Sequence, residues 1–160
     1  MSQDVPNRVK NRLLASLPRE EYERLEPYLE PVSLEFKQQL YQPNVPIEFV
    51  YFPLDGVYSL LSQTSQRQLI EVATVGNEGM VGLPVFLGAR EIPGVSMVQV
   101  PGNALRMRAK DLQNQVSRDT SLYDLLLRYT QALFNFISQS ALCNRVHSIE
   151  QRCCRWLLLT

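Results

Sequence analysis

Between residues 32 and 108 apolar and polar residues alternate, and turn chemistry interrupts the alternation roughly every 8–12 positions. No other feature narrows the fold as much. A two-residue period puts successive side chains on opposite faces, and many short strands joined by tight turns fold into a sandwich or a jelly-roll barrel. Val32, Leu34 and Phe36 alternate with Ser33, Glu35 and Lys37, as a half-buried strand does, until the Pro43-Asn44-Val45-Pro46 turn. Residues 48–53 read as a short aromatic strand. Asp55-Gly56 is a strong turn signal, with 57–61 as the return strand of a hairpin. A polar loop over 62–67 leads into the alternating run 69–75. After a turn at 91–94, strands at 95–100 and 103–108 flank Pro101-Gly102. The expected fold class is α+β, mainly β: an antiparallel jelly-roll or double-stranded β-helix barrel.

Four of the seven glycines fall within residues 75–88: Gly76, Gly79, Gly82 and Gly88. Glycine at this density lifts the steric bar on positive φ and lets backbone amides crowd together. The plain reading is tight turns between strands; the sharper one is a cradle for an anionic ligand.

Helical spacing brackets the strands. Val9, Leu13, Leu14 and Leu17 recur at three to four residues, and Pro18 with Glu20 and Glu21 suits a second helix start, so residues 7–30 read as a short helical lid. The acidic residues from Glu20 to Glu35 read as its solvated face. A short helix is expected over 109–116. A long one over about 121–145 is capped by Asp119 or Thr120. Leu122, Leu126, Tyr129, Leu133, Phe136, Ser140 and Cys143 follow its 3–4 spacing and form the expected dimer seam. Ser148 and Gln151 fit a capping box, so a fresh helix starts after a break at Val146, His147 and Ser148. It carries Ile149, Cys153, Trp156 and Leu157 on one expected face and reaches Thr160 without a stop signal, so a further domain is expected.

Composition removes several classes. Sixteen basic residues balance sixteen acidic ones, leaving no global field for nucleic acid. Three cysteines, two of them adjacent, are no disulfide framework. With no signal sequence and no membrane span, a cytoplasmic protein is expected. The single histidine, His147, has Cys143 four residues before it and Cys153 and Cys154 after it, but the helix break separates them and no C-x-x-C exists, so no metal is expected. Neither a Ser/His/Asp constellation nor a Walker-type loop is present, so no catalytic residue and no cofactor is expected.

The order of parts resembles the cyclic-nucleotide-binding-like sensor domain of Crp/Fnr-type bacterial transcription regulators. Residues 34–41 and 50–57, the run Gly79-Met80-Val81-Gly82-Leu83, residues 144–152 and Trp156-Leu157-Leu158 carry the resemblance. It implies four parts: an N-terminal helical segment (1–31), a β-barrel (32–108), a short helix plus a long dimerisation helix (109–146), and the start of a helix-turn-helix domain (147–160). It also implies a homodimer through the long helix, with DNA met only through a missing C-terminal domain. The family's phosphate cassette is Gly-Glu-Leu followed by an Arg. Here Gly82 matches the glycine, Leu83 stands in place of the Glu, and Pro84 lacks an amide donor. Arg90 comes too early in its loop. Such a cassette cannot repay the desolvation of a phosphate, so the pocket reads as degenerate, with its effector unknown. The alternative is a module that does hold a cyclic nucleotide or another anion. Candidate ligand residues are Gly79, Met80, Val81, Gly82, Leu83 and Arg90. From the long helix Asn135 and Ser138, polar on an otherwise apolar helix, join them.

Overall fold

A computed structural model describes residues 9–158 in full and the backbone of residue 159. The expected helix over 7–30 is two short helices, α1 (Arg12–Ala15) and α2 (Arg19–Leu25), and a 3-10 turn over Glu26–Tyr28; residues 7 and 8 lie outside the described residues, as does Thr160. The strands are β1 (Glu30–Leu34), β2 (Gln39–Tyr41), β3 (Phe49–Pro53), β4 (Val57–Gln63), β5 (Leu69–Val75), β6 (Gly94–Val100) and β7 (Gly102–Arg108). Helix α3 (Leu83–Phe86) interrupts them, and α4 (Ala109–Gln115), α5 (Ser121–Val146) and α6 (Ile149–Leu159) follow.

The strands form two antiparallel sheets, ordered β1-β7-β3 and β2-β6-β4-β5. Apolar side chains meet between them, with Val50, Phe52, Tyr58, Val75, Val98 and Ala104 buried and Leu126 of α5 joining the same core. This is the expected jelly-roll class, built as two sheets rather than one closed ring of hydrogen-bonded strands.

Two details depart from the sequence pattern. The first strand stops at Leu34, because Lys37 takes a left-handed φ of 64° that turns the chain and leaves Phe36 exposed; β2 then starts anew. The expected hairpin at Asp55-Gly56 is absent: β3 pairs with β7, whereas β4 pairs with β5 and β6. A two-residue type I′ hairpin needs positive φ at both central residues, and here only Gly56 has it (79°). The turn is instead a corner between sheets. Pro101-Gly102 is a second such corner, and the two touch. A Cβ on Gly56 would lie 2.7 Å from the Val100 carbonyl oxygen, and one on Gly102 2.6 Å from that of Asp55. The Asn103 amide donates to Asp55 Oδ1 at 2.6 Å across the junction.

Helix α5 is anchored at its start from two directions. Thr120 Oγ1 accepts from the Tyr123 amide at 3.2 Å. The Glu21 carboxylate, from α2, accepts from the amides of Ser121 (2.9 Å) and Leu122 (3.1 Å). Glu21 is thus no idle member of a solvated acidic face; it neutralises orphan amides at a positive helix end. The helix then runs along β5.

Candidate effector site

The glycine segment folds as successive tight turns pinned to β3. Val81 forms an isolated bridge with Tyr51, its amide donating to the Tyr51 carbonyl at 2.8 Å and its carbonyl accepting in return at 2.9 Å. The next residue, Gly82, has φ 98°, and a Cβ there would lie 2.8 Å from Val50 Cγ1. Both the backbone conformation and the closeness of β3 therefore require glycine. Helix α3 follows, with the Val85 amide donating to the Gly82 carbonyl at 3.0 Å. The Val81 and Val85 amides are satisfied within the chain, and Pro84 has none.

Two side chains hold it from outside. Asn11, fully buried, donates through Nδ2 to the carbonyls of Gly79 and Pro53, each at 2.9 Å, while its Oδ1 caps α1 by accepting from the Leu14 amide at 3.1 Å. From α5, the Tyr129 hydroxyl donates to the Met80 carbonyl at 3.2 Å. Burial raises the Tyr129 phenol well above its ordinary value, so it stays a neutral donor.

Between this segment, β4, β5 and α5 lies a cavity of about 320 Å³. Met80, Leu83, Pro84 and Leu87 form one wall, Leu60, Leu61 and Val72 another, and Leu133 and Ile137 of α5 close it. No charged side chain lines it; its polar side chains are Tyr41 and Ser62. Burial pushes the Tyr41 phenol up to about 12, so that it too is neutral. A phosphate monoanion placed here would lose its water and meet no cation.

The structure brings some expected ligand residues together and separates others. Met80, Gly82 and Leu83 line the cavity, Gly79 lies beneath the Tyr129 ring, and Val81 is fully buried in its bridge. Arg90 is elsewhere, lining a separate cleft with Glu48, Arg108 and Asp111. Asn135 and Ser138 are exposed, and Asn135 Oδ1 accepts from Gln131 Nε2 at 3.0 Å on the helix surface. From α5, Leu133 and Ile137 line the cavity. At about 100° per residue Asn135 points almost opposite to Leu133, and Ser138 sits a quarter-turn round from Ile137.

The expected dimer seam faces inward. Leu122, Leu126 and Cys143 are buried within the chain, and Tyr129, Leu133, Phe136 and Ser140 are half-buried on the same side. The outward stripe of α5 is Leu127, Phe134, Leu142 and Val146, with Phe134 65% exposed. The outward residues recur at about one or two whole helical turns, so periodicity alone could not say which stripe the barrel takes.

At the hinge, Val146 ends α5 and His147 caps it, its amide donating to the Cys143 carbonyl at 3.0 Å. Ser148 and Gln151 form the expected capping box: the Ser148 amide donates to Gln151 Oε1 at 3.0 Å and the Gln151 amide to Ser148 Oγ at 3.4 Å. Helix α6 turns back on α5 through its arginines. Arg155 Nη1 donates to Cys143 Sγ at 3.0 Å, with its guanidinium 5.4 Å from the Phe136 ring centre. On its expected apolar face Ile149, Cys153 and Leu157 are exposed. Among the described residues no three His, Cys, Asp or Glu gather around a common point where a metal could sit, and no helix is long and apolar enough to cross a membrane.

Sequence reasoning missed Asn11, Tyr41 and Ile137. Ile137 carried a usable signal, lying four residues after Leu133 on one helix face. Asn11 and Tyr41 carried none, because the carbonyls that Asn11 holds are 42 and 68 positions away and the other walls of the cavity around Tyr41 come from distant elements.

Two packed antiparallel sheets, a glycine-rich turn with a short helix, and a long helix closing a cavity against them define the cyclic-nucleotide-binding-like fold of Crp/Fnr-type regulators. Solved structures share it at low sequence identity. The c-di-GMP responsive global regulator CLP of Xanthomonas campestris aligns over 86% of this chain and 70% of its own, with TM-score 0.69 and 12% identity. The sensor domain of the transcriptional regulator DNR from Pseudomonas aeruginosa aligns over 86% and 89%, with TM-score 0.60 and 15% identity. FixK2 from Bradyrhizobium japonicum aligns over 81% and 64%, with TM-score 0.69 and 15% identity. No protein-family model and no curated protein matches the sequence.

Proposed function

We propose that this chain is the effector-sensing and dimerisation domain of a Crp/Fnr-like transcription regulator, with a cavity that does not take a cyclic nucleotide. One observation carries this reading: the cavity between the glycine segment and α5 has no cationic side chain, and Arg90 opens into a different cleft. Leu133 and Ile137 make α5 itself a wall of the cavity. A ligand that fills it would bias the position of α5, and the hinge at Val146, His147 and Ser148 would transmit that bias. The outward stripe of α5 is the proposed dimer face, and on this reading DNA is met by residues outside these 160. The test is thermal unfolding with cyclic AMP and cyclic GMP in large excess. A ligand at a hundred times its Kd stabilises by about 2.7 kcal/mol. No shift is expected with either; an upshift would establish the alternative, a module that holds a cyclic nucleotide.

A further inference from the structure

We propose that this cavity takes a small, uncharged, largely apolar molecule carrying one hydrogen-bonding group, which meets the Tyr41 hydroxyl. The inference rests on the effector-site reading above and gives the site its ligand chemistry.

The walls exclude charge. Leu60, Leu61, Val72, Met80, Leu83 and Ile137 offer no partner for an ion, and dehydrating one here has no compensation. At about 320 Å³ the cavity is at the lower end of sites for small molecules, so the ligand is compact. Apart from the exposed Ser62, its polar side-chain character is concentrated at one place. Tyr41 lines the cavity and is 8% exposed overall; its hydroxyl makes no hydrogen bond among the described residues and is not one of their dry, unpaired atoms, so it keeps contact with open space. Burial alone accounts for its raised pKa, with no partner contributing. A ligand that displaces the water there must give the hydroxyl a partner, because leaving it dry and unpaired would be costly. A ligand oxygen accepting from Tyr41 relieves that cost while its hydrocarbon body covers the apolar walls. Tyr129, the other phenol beside the site, already donates to the Met80 carbonyl and adds no second polar point. Such a ligand is selected by one directed bond and by shape.

The experiment uses the 160-residue chain and three probes, 1-octanol and octanoate of matched size and the larger cyclic AMP, titrated by calorimetry at pH 7. Octanol is expected to bind saturably, and octanoate at least about tenfold more weakly because of its charge. Tyr41→Phe keeps the ring and removes the hydroxyl; octanol affinity should fall about two- to tenfold, the worth of one neutral hydrogen bond. Val72→Phe and Ile137→Phe fill the cavity from β5 and from α5, and each should abolish binding while circular dichroism reports an intact fold. No saturable heat with octanol, binding unchanged in both filling variants, or octanoate tighter than octanol would each overturn the proposal. Unchanged affinity in Tyr41→Phe would overturn the role given to its hydroxyl. Tight binding of cyclic AMP would overturn both this inference and the proposed function, whereas failure of octanol alone leaves the latter standing.

Discussion

The ring of Tyr129 fills the space that a Cβ on Gly79 would need: built there, the carbon lies 2.7 Å from Tyr129 Cζ and 2.8 Å from Cε2. Helix α5 and the glycine segment therefore meet through the Tyr129 ring, which packs directly on the Gly79 backbone. Gly79→Ala should destabilise the chain by about 1–3 kcal/mol, the range for overpacking a closed site. Adding Tyr129→Ala should make the pair cost less than the sum of the singles, since each variant disturbs the same contact. Urea unfolding of the four proteins measures both. Additivity within error would show that the contact is slack.

Asn11 combines a helix cap with two donations to buried carbonyls, and the two roles can be separated. Asn11→Ala loses both and is expected to cost about 3 kcal/mol, a cap plus unpaired carbonyls. Asn11→Asp retains an oxygen for the Leu14 amide but faces the Gly79 and Pro53 carbonyls with no donor. It should be at least as damaging as alanine. If aspartate proves near-neutral in thermal unfolding, the cap matters and the cross-links to β3 and the glycine segment do not.

Glu21 gives the stability of the chain an acid limb. Its burial would raise the carboxyl, but the amides of Ser121 and Leu122 outweigh that and hold it below its ordinary value of 4.5. A group depressed in the folded state stabilises fully above its unfolded pKa, and that contribution fades as pH falls through the folded one. Unfolding free energy measured between pH 7 and pH 3 should therefore drop more steeply below 4.5 in the parent than in Glu21→Gln. At pH 7 the variant should be less stable by about 1 kcal/mol, as for a helix cap. Parallel pH curves would remove Glu21 from the account.

The outward stripe of α5 makes a prediction about assembly. Phe134 is 65% exposed in the middle of that stripe, flanked by Leu127 and Leu142. Sedimentation at micromolar concentration should show a dimer for the parent and a monomer for Phe134→Glu, with the fold retained. A parent that sediments as a monomer would refute the dimer. A dimer that survives the substitution would place the interface elsewhere.

Most of the elements were legible in the sequence because they rest on local physics. The two-residue alternation at 57–61 and 69–75, the Thr120 cap, and the Ser148–Gln151 box each involve residues close in the chain. What the sequence could not settle were choices between faces and between partners. Asp55-Gly56 announces a turn, but whether β4 folds back on β3 or crosses to the other sheet depends on Val100 and Asn103, far along the chain. On α5 two apolar stripes obey the same period, and only the barrel decides that Leu126 is buried and Phe134 is not. In the candidate site, Gly82 was readable as a turn glycine and Leu83 as a residue without charge. The contribution of Tyr41 was not, since it comes from β2, far along the chain from the glycine segment.

The two corners at Asp55-Gly56 and Pro101-Gly102 also constrain how the chain acquires its structure. Neither can settle before the other, because each glycine packs against the backbone of the opposite turn and the Asp55–Asn103 bond spans 48 positions. Closing so long a loop is an entropic expense that local contacts do not offset. The β4–β5 hairpin, joined by the short turn at Thr64 to Gln68, can assemble early. The placement of one sheet on the other, and with it the cavity, thus rests on a junction between residues 48 positions apart.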